Sequence, residues 1–364
     1  MNNKKYSLIN DYAKSMFFFE NLNDRWILKC KKYLLYIFKN KIKNSVIVDY
    51  AFGRGNWAIA FYELGAKKVI AVDKSNYNVI KLKKYLKKKS IKNIKVIKGD
   101  ILNTKILENV DIFWIYGIFH HLKNIKKFIL LLRNIWKKKE AIAMVYAYNN
   151  NSLREIVINF SRKYLKFKNY KQFLNSSYYF SHSSRLRIRD DLVVDHIKWY
   201  SQKELIDILK KYKFYGIKFC KSFENFNGIK SSEFNAHHLL ISKKKKNSSI
   251  IPPPKKNKDL IILLDLLNLI SIRIKSKKIL KKFSIGLLNT HFNGDNSNYN
   301  ENFKRVLLFI FYIIKIKKIT PQTKNQNNLL FKLENILKNE NFLKIKKDTT
   351  NNIFRYLSET GIRI

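Results

Sequence analysis

The chain has 364 residues and a formal net charge of +48, from 74 Lys and Arg against 26 Asp and Glu. That length accommodates one full α/β domain and a smaller second unit, and the content of hydrophobic (46%) and aromatic (14%) residues excludes a wholly disordered chain, because that much apolar surface offsets the entropy of ordering. Cys30 and Cys220 stand far apart and outside any Cys-x-x-Cys pattern, which excludes a disulfide framework and a structural zinc centre and points to a reduced, cytoplasmic setting.

Clustered Lys and Arg would suggest a nucleic-acid or anionic-membrane partner, but the base here is spread along the whole chain. From Ile251 onward 22 basic residues stand against 8 acidic ones, about +14, leaving about +34 for the first 250 residues. Density this even marks no single face. In a chain so poor in Asp and Glu, a carboxylate at a mechanistically meaningful position carries more information. The stretch from Met1 leads to no apolar core with a small-residue cleavage site, and no run approaches 18 apolar residues. The expectation is a cytoplasmic protein that neither is secreted nor spans a membrane.

Residues 1–44 read as an N-terminal helical segment. From Ser45 short β-rich runs alternate with helical patterns, which predicts a parallel sheet covered on both faces. The strands are expected at Ser45–Tyr50, Lys68–Val72, Ile94–Lys98, Asp111–Tyr116 and Ala141–Tyr148. Helices are expected between them at Asn56–Leu64, Asn76–Lys88 and Ile125–Lys138, each with apolar residues three to four apart. Ser201–Tyr212 reads as a further helix, with Ser201 as N-cap and Glu204 three residues on, and last strands are expected near Tyr215–Cys220 and Phe234–Ser242. The fold class is therefore α/β: a doubly wound, seven-stranded Rossmann-like domain over residues 45–245. Residues 149–198 form an insertion within it. Residues 246–258, with Pro252-Pro253-Pro254, read as a linker, and 259–364 as a mainly helical accessory region with helices at Asp259–Phe283, Phe303–Lys318 and Leu329–Leu343.

The first strand ends in Val48-Asp49-Tyr50-Ala51-Phe52-Gly53-Arg54-Gly55-Asn56-Trp57. A Gly-rich turn from a parallel strand into a helix lets a ligand approach the backbone, and the helix start offers free N–H groups and a positive dipole end. Asp73 closes the second strand, 18 residues after Gly55, where an acid can accept from both ribose hydroxyls of a nucleoside cofactor. Gly99-Asp100 closes the third, and its carboxylate can accept from an adenine amino group. Taken alone, a Gly-x-Gly pair is a weak signal, Asp73 is equally an N-cap and Asp100 equally a turn residue. It is their order on consecutive strand ends that makes a site.

With these residues in place the chain resembles the class I S-adenosylmethionine-dependent methyltransferases, whose pattern is acid-x-Gly-x-Gly-x-Gly after strand one, an acid after strand two and frequently Gly-Asp after strand three. The likeness continues through Asp111-Ile112-Phe113-Trp114-Ile115-Tyr116-Gly117-Ile118-Phe119-His120-His121-Leu122, similar to the fourth-strand segment of the small-molecule branch, and through Trp199-Tyr200-Ser201 and the helix after it. The resemblance implies that S-adenosylmethionine is the cofactor, with Asp49 and the backbone at Gly53 and Gly55 holding its methionine end, Asp73 the ribose and Asp100 the adenine. Ala51, Lys74, Ile101 and Tyr116 are further cofactor-binding positions on the same basis. Ala51 departs from the pattern, since it replaces the first motif glycine; the change is small at negative φ and costly at positive φ. The dinucleotide-binding version of the fold expects its first glycine earlier relative to the strand.

Methyl transfer from a sulfonium is a direct displacement, so the protein aligns the acceptor and, where needed, removes a proton. His120 and His121 stand where the acceptor would lie, and imidazole is a suitable base; in an extended segment only one of the two would face the site. The competing reading has both packing against the following helix. The insertion is expected to act as a lid or acceptor pocket, with a helix face of Leu153, Ile156, Val157, Phe160 and Tyr164 followed by a polar stretch holding Tyr178, Tyr179, His182, Arg185, Arg187, Asp190, Asp191, Asp195 and His196. Asp191, Asp195 and His196 lack the spacing of a metal site, and no metal is expected. The expected function is methylation of an oxygen, nitrogen or carbon of a small molecule or of a cell-envelope or lipid precursor. An RNA base, as in tRNA, is the second reading, against which the fourth strand lacks the Asn/Asp-Pro-Pro-Tyr of exocyclic-amine methylases. A third is a non-catalytic module that docks on the inner face of a membrane through Leu260–Ile270 and Val306–Ile314.

Overall fold

A computed structural model describes residues 22, 24–165, 167, 172–173, 191–226, 236–243, 258–292, 299–321 and 323–338. The chain divides into two compact units, one of residues 1–150, 194–228 and 236–253, the other of 151–193, 229–235 and 254–364. No helix among the described residues is long and apolar enough to cross a membrane.

The first unit is built on β1 (Val46–Tyr50), β2 (Lys68–Asp73), β3 (Ile94–Lys98), β4 (Ile112–Ile115), β5 (Ile142–Tyr148), β6 (Gly216–Phe219) and β7 (Ala236–Ser242). They form one seven-stranded sheet in the order β3-β2-β1-β4-β5-β7-β6. The first five strands run parallel, and β7 is antiparallel to both its neighbours. Around them lie α1 (Asp24–Phe38), α2 (Asn56–Glu63), α3 (Asn76–Lys88), α4 (Ile125–Ile135), and, after the part of the chain that joins the second unit, α6 (Gln202–Lys211) and the single-turn α7 (Phe223–Phe226).

The two-residue period of the strands divides the core. Val48, Phe113, Val145 and Leu239 face α4 and α6, where Phe128, Leu132 and Leu205 pack on them. Ile47, Ala71, Trp114 and Met144 face the other way, toward α1, α2 and α3. Asp49, Asp73, Tyr146 and His238 fall in register with this second set, so one face of the sheet's carboxyl edge collects both the acids and the rings. The helix starts follow the sequence signals: Ser75 caps α3 by accepting from the Asn78 amide at 3.2 Å, Asn124 caps α4, and Ser201 and Glu204 form a capping box on α6.

The second unit holds α5 (Leu153–Tyr164), α8 (Lys258–Arg273), α9 (Lys277–Phe292), α10 (Tyr299–Ile316) and α11 (Lys324–Lys338). The span expected as one helix over Asp259–Phe283 is two, because the chain leaves helical geometry at Ile274–Ser276 and Ser276 then opens α9 with its hydroxyl accepting from the Ile279 amide. Within this unit α5 packs against α9 and α8, Phe160 meets Phe283 edge to face, and Phe283 stacks on Phe309. The run Val306–Ile314 is buried in the unit except for the half-exposed Tyr312. Arg154 donates twice to the fully buried Asp191, at 2.9 and 2.7 Å, and Arg162 donates to its carbonyl. Tyr178, Tyr179, His182, Arg185, Arg187, Asp190, most of the linker and the part of Leu329–Leu343 beyond Lys338 lie outside the described residues.

Candidate functional site

The loop leaving β1 is shaped by three left-handed residues on alternate positions: Ala51 at φ +57°, Gly53 at +56° and Gly55 at +89°. Ala51 therefore carries the strain that its motif position avoids with glycine. Gly55 is doubly required, since its φ disfavours any side chain and a Cβ there would lie 2.7 Å from Leu82 Cδ1. The Ala51 amide donates to Val72 at 2.7 Å, extending the β1–β2 ladder, and the Gly55 amide closes a turn onto Phe52 at 2.9 Å before α2 begins.

Asp73 ties this loop to its own strand. Its Oδ2 accepts from the Gly53 amide at 2.9 Å and from Asn78 Nδ2 at 3.2 Å, while Oδ1 accepts from the Ser75 amide at 2.8 Å. Burial raises its carboxyl above the usual range, and the Ser75, Gly53, Asn78 and Lys74 donors hold back part of that rise. Asp49, 1% exposed, accepts from the Ala58 amide but leaves Oδ2 with no partner among the described residues. Burial first, and then the charge of Asp73, push its carboxyl well above the ordinary value. An ammonium group placed against Asp49 would reverse both effects, so the site suits a cationic group at this point. Asp100 lies at the next strand end, where the Gly99 amide bonds the Asp73 carbonyl at 2.9 Å. Its Oδ2 accepts from Lys74 Nζ at 2.7 Å and its Oδ1 from the Leu102 amide at 3.0 Å. Burial alone would raise this carboxyl, but the Lys74 and Leu102 donors outweigh it and hold the group below its usual value. Gly53, Asp73, Lys74 and Asp100 are thus brought into one contiguous rim; the side chain of Ile101 turns into the core.

A second group of side chains gathers where β4 and β5 end. Tyr116 stacks on Trp114 at 5.2 Å and meets Trp57 of α2 at 5.1 Å, which links this group to the loop. Tyr146 lies 4.8 Å from Tyr116, and Tyr148 stacks on the His120 ring at 3.6 Å and on Trp199 at 4.9 Å. Phe119–His121 is a tight turn instead of an extended segment, so the two imidazoles do not diverge: their centroids are 4.1 Å apart. His120 is buried, its carbonyl accepts from the Lys198 amide at 2.8 Å, and His121 Nδ1 lies 3.1 Å from the His196 carbonyl.

Tyr146, Tyr148 and His238 are members of this cluster that sequence reasoning passed over. His238 is paired with Tyr146 across the β5–β7 ladder, approaches it edge to face at 4.9 Å and lies 3.3 Å from the Tyr33 hydroxyl through Nδ1. Its Nε2 has no partner among the described residues, and burial pushes its pKa down to about 3. The available signal was the alternation Met144-Val145-Tyr146-Ala147-Tyr148, which puts both tyrosines on one face, together with a histidine pair inside a strand. Asp195 reaches Lys123 at 4.0 Å and Asp191 is held by Arg154. Among the described residues no group of three or more His, Cys, Asp or Glu is arranged to hold a metal.

Residues 47–139 match the family model of a methyltransferase domain. No curated protein matches the chain. Similar solved structures include the YcgJ protein of Bacillus subtilis (10% identity, TM-score 0.42, 60% of this chain and 99% of that one) and an S-adenosylmethionine-dependent methyltransferase of Aquifex aeolicus (16%, 0.42, 64% and 97%). A third is the 1,6-didemethyltoxoflavin-N1-methyltransferase of Burkholderia thailandensis (11%, 0.39, 62% and 80%). Family match, strand order and loop agree on a methyltransferase domain built around residues 47–139.

Proposed function

We propose that the first unit methylates an oxygen, nitrogen or carbon of a small molecule held against the ring cluster of Tyr116, His120, Tyr146, Tyr148 and His238. The observation that carries this reading is the position of that cluster: it begins one side chain from the loop, at Trp57, and contains an imidazole that burial keeps neutral. Rings of this kind favour a planar or apolar acceptor, and His238, which burial keeps neutral, can hydrogen-bond that acceptor but not take up its proton.

In this reading Asp49 meets the cofactor's ammonium through the Oδ2 that has no partner, with the backbone at Ala51, Gly53 and Gly55 beside the same end. Asp73 takes the ribose. Its present donors already occupy most of the roughly four lone-pair sites a carboxylate offers, so the Gly53 amide gives way to a ribose hydroxyl as the loop adjusts. Asp100 and Lys74 flank the adenine with the backbone at Ile101 beside them, and Tyr116 stands at the methionine end next to Trp57. When bound, the cofactor supplies an electrophilic methyl on a positively charged sulfur. His120, stacked on Tyr148, and His121 orient the acceptor and hold its departing proton.

The test is a labelled-methyl transfer screen of the purified full chain against cell extract, sorted into small-molecule, lipid and RNA fractions. Label in a small-molecule or lipid-precursor fraction, reduced at least tenfold by His120→Ala, is expected. Label in RNA alone would replace this reading, and no transfer despite calorimetric cofactor binding would leave a binding module.

A further inference from the structure

The second unit holds two clefts beside the first turn of α9, of about 470 and 310 Å³. Arg273, Lys275, Lys317 and Lys318 line the larger, with Ser276 at the helix start, and Lys163, Lys277 and Lys281 line the smaller. Among the described residues no carboxylate lines either cleft. Elsewhere in the unit acids do find bases: Asp191 pairs with Arg154 at 2.7 Å and Glu334 with Lys315 at 2.5 Å. The four cations of the larger cleft form no ion pair among the described residues. In a chain with base everywhere, a single exposed lysine means nothing. Four facing one concavity build a local positive potential that an anion relieves; the start of α9 adds about half a charge to it, and the ends of α8 and α10 take away about half a charge each, which leaves the four cations dominant.

The face of α8 that leads to this cleft is aliphatic at three exposed positions, with the part-exposed Asp265 and Asn268 among them. Ile261, Leu264 and Ile272 of α8 are 49%, 43% and 55% exposed, and at 100° per residue they fall on one stripe, which ends immediately before Arg273. Asp265, half-exposed, lies on the same stripe, but about 12 Å along the axis from Arg273, beyond a physiological Debye length of about 8 Å. The exposed large side chains of this stripe are aliphatic, whereas single-stranded nucleic acid is gripped on aromatic platforms.

We propose that the second unit docks on an anionic lipid surface, a headgroup phosphate entering the cleft of Arg273, Lys275, Lys317 and Lys318 while Ile261, Leu264 and Ile272 meet the acyl boundary. Both halves of the surface then find their complement in one partner. This stands independently of the methyl acceptor. The segments that sequence alone singled out divide accordingly: Val306–Ile314 is spent on the unit's own core, and only one stripe of α8 is left for a membrane.

Sedimentation of the full chain with phosphatidylcholine vesicles, with and without about a third phosphatidylglycerol, tests it. Binding to the anionic vesicles alone is expected. Lys317→Glu/Lys318→Glu should weaken it at least about tenfold, and Leu264→Ser/Ile272→Ser several-fold, with unchanged circular dichroism. The control is Lys83→Glu/Lys84→Glu on α3, an equal change of net charge on exposed residues of the first unit, expected to weaken binding less than about threefold. Equal losses in the two charge variants would show that net charge alone attracts the chain, and would overturn the proposal. So would an absence of vesicle binding, or a cleft variant that loses retention on immobilised tRNA while still binding vesicles.

Discussion

Replacing Ala51 by glycine should make the first unit more stable, against the usual trend for substitutions in an ordered loop. Ala51 sits at φ +57°, a left-handed conformation that costs an L-residue about 1–2 kcal/mol. Glycine removes that cost but brings about 0.5–1 kcal/mol of extra backbone entropy to lose on folding. The half-buried methyl gives up little packing, so the balance favours Ala51→Gly by about 0.5–1 kcal/mol. For a domain of this class a gain of that size raises Tm by about 1–4 °C. Ala51→Val should move the other way by about 1–3 kcal/mol, because a β-branched side chain is worse placed at positive φ. The assay is equilibrium denaturation in urea with thermal melts of the three proteins. Ala51→Gly no more stable than the parent, or Ala51→Val tolerated, would refute the strain argument and imply a loop of different shape.

Asp73→Ala strips the Gly53, Ser75 and Asn78 donors of their acceptor and should cost about 2–3 kcal/mol while abolishing S-adenosylmethionine binding; calorimetry showing unchanged affinity in a folded variant would remove the ribose assignment. Gly55→Ala should cost about 2–3 kcal/mol, from its φ of +89° and the approach to Leu82; a second change, Leu82→Ala, should recover none of the φ component, and full rescue in the double variant would assign the whole cost to the clash. In the second unit, burial lifts Glu155 from 4.5 to about 7, so the group is neutral by preference in the fold. Its contribution is complete below the unfolded value and is lost as pH rises through about 7, roughly 1 kcal/mol once partial exposure is discounted. Glu155→Gln should therefore flatten the stability profile between pH 5 and 8, and an unaltered slope in urea titrations would contradict it.

Much of the first unit was legible in the residues because its signals are local. Strands of β-rich residues alternate with helical patterns, Ser201 and Glu204 announce a helix start, and acids close consecutive strands. Local steric and hydrogen-bonding rules are enough to read those. The break at Ile274–Ser276 was not legible, since the apolar spacing runs through it and only the Ser276 cap marks the second start. Nor was the handedness at Ala51, which depends on how the loop must pass from β1 to α2. The shared face of Tyr146 and His238 needed the β5–β7 register, and register joins residues 92 positions apart that no local pattern relates. The charge divides the same way. Sequence determines that base is everywhere and carbon-rich helices follow the linker; packing decides which apolar residues are consumed by the core, leaving Val306–Ile314 buried and Ile261, Leu264 and Ile272 exposed beside four cations. Burial is a property of the whole assembly of helices, so only the tertiary structure could assign it.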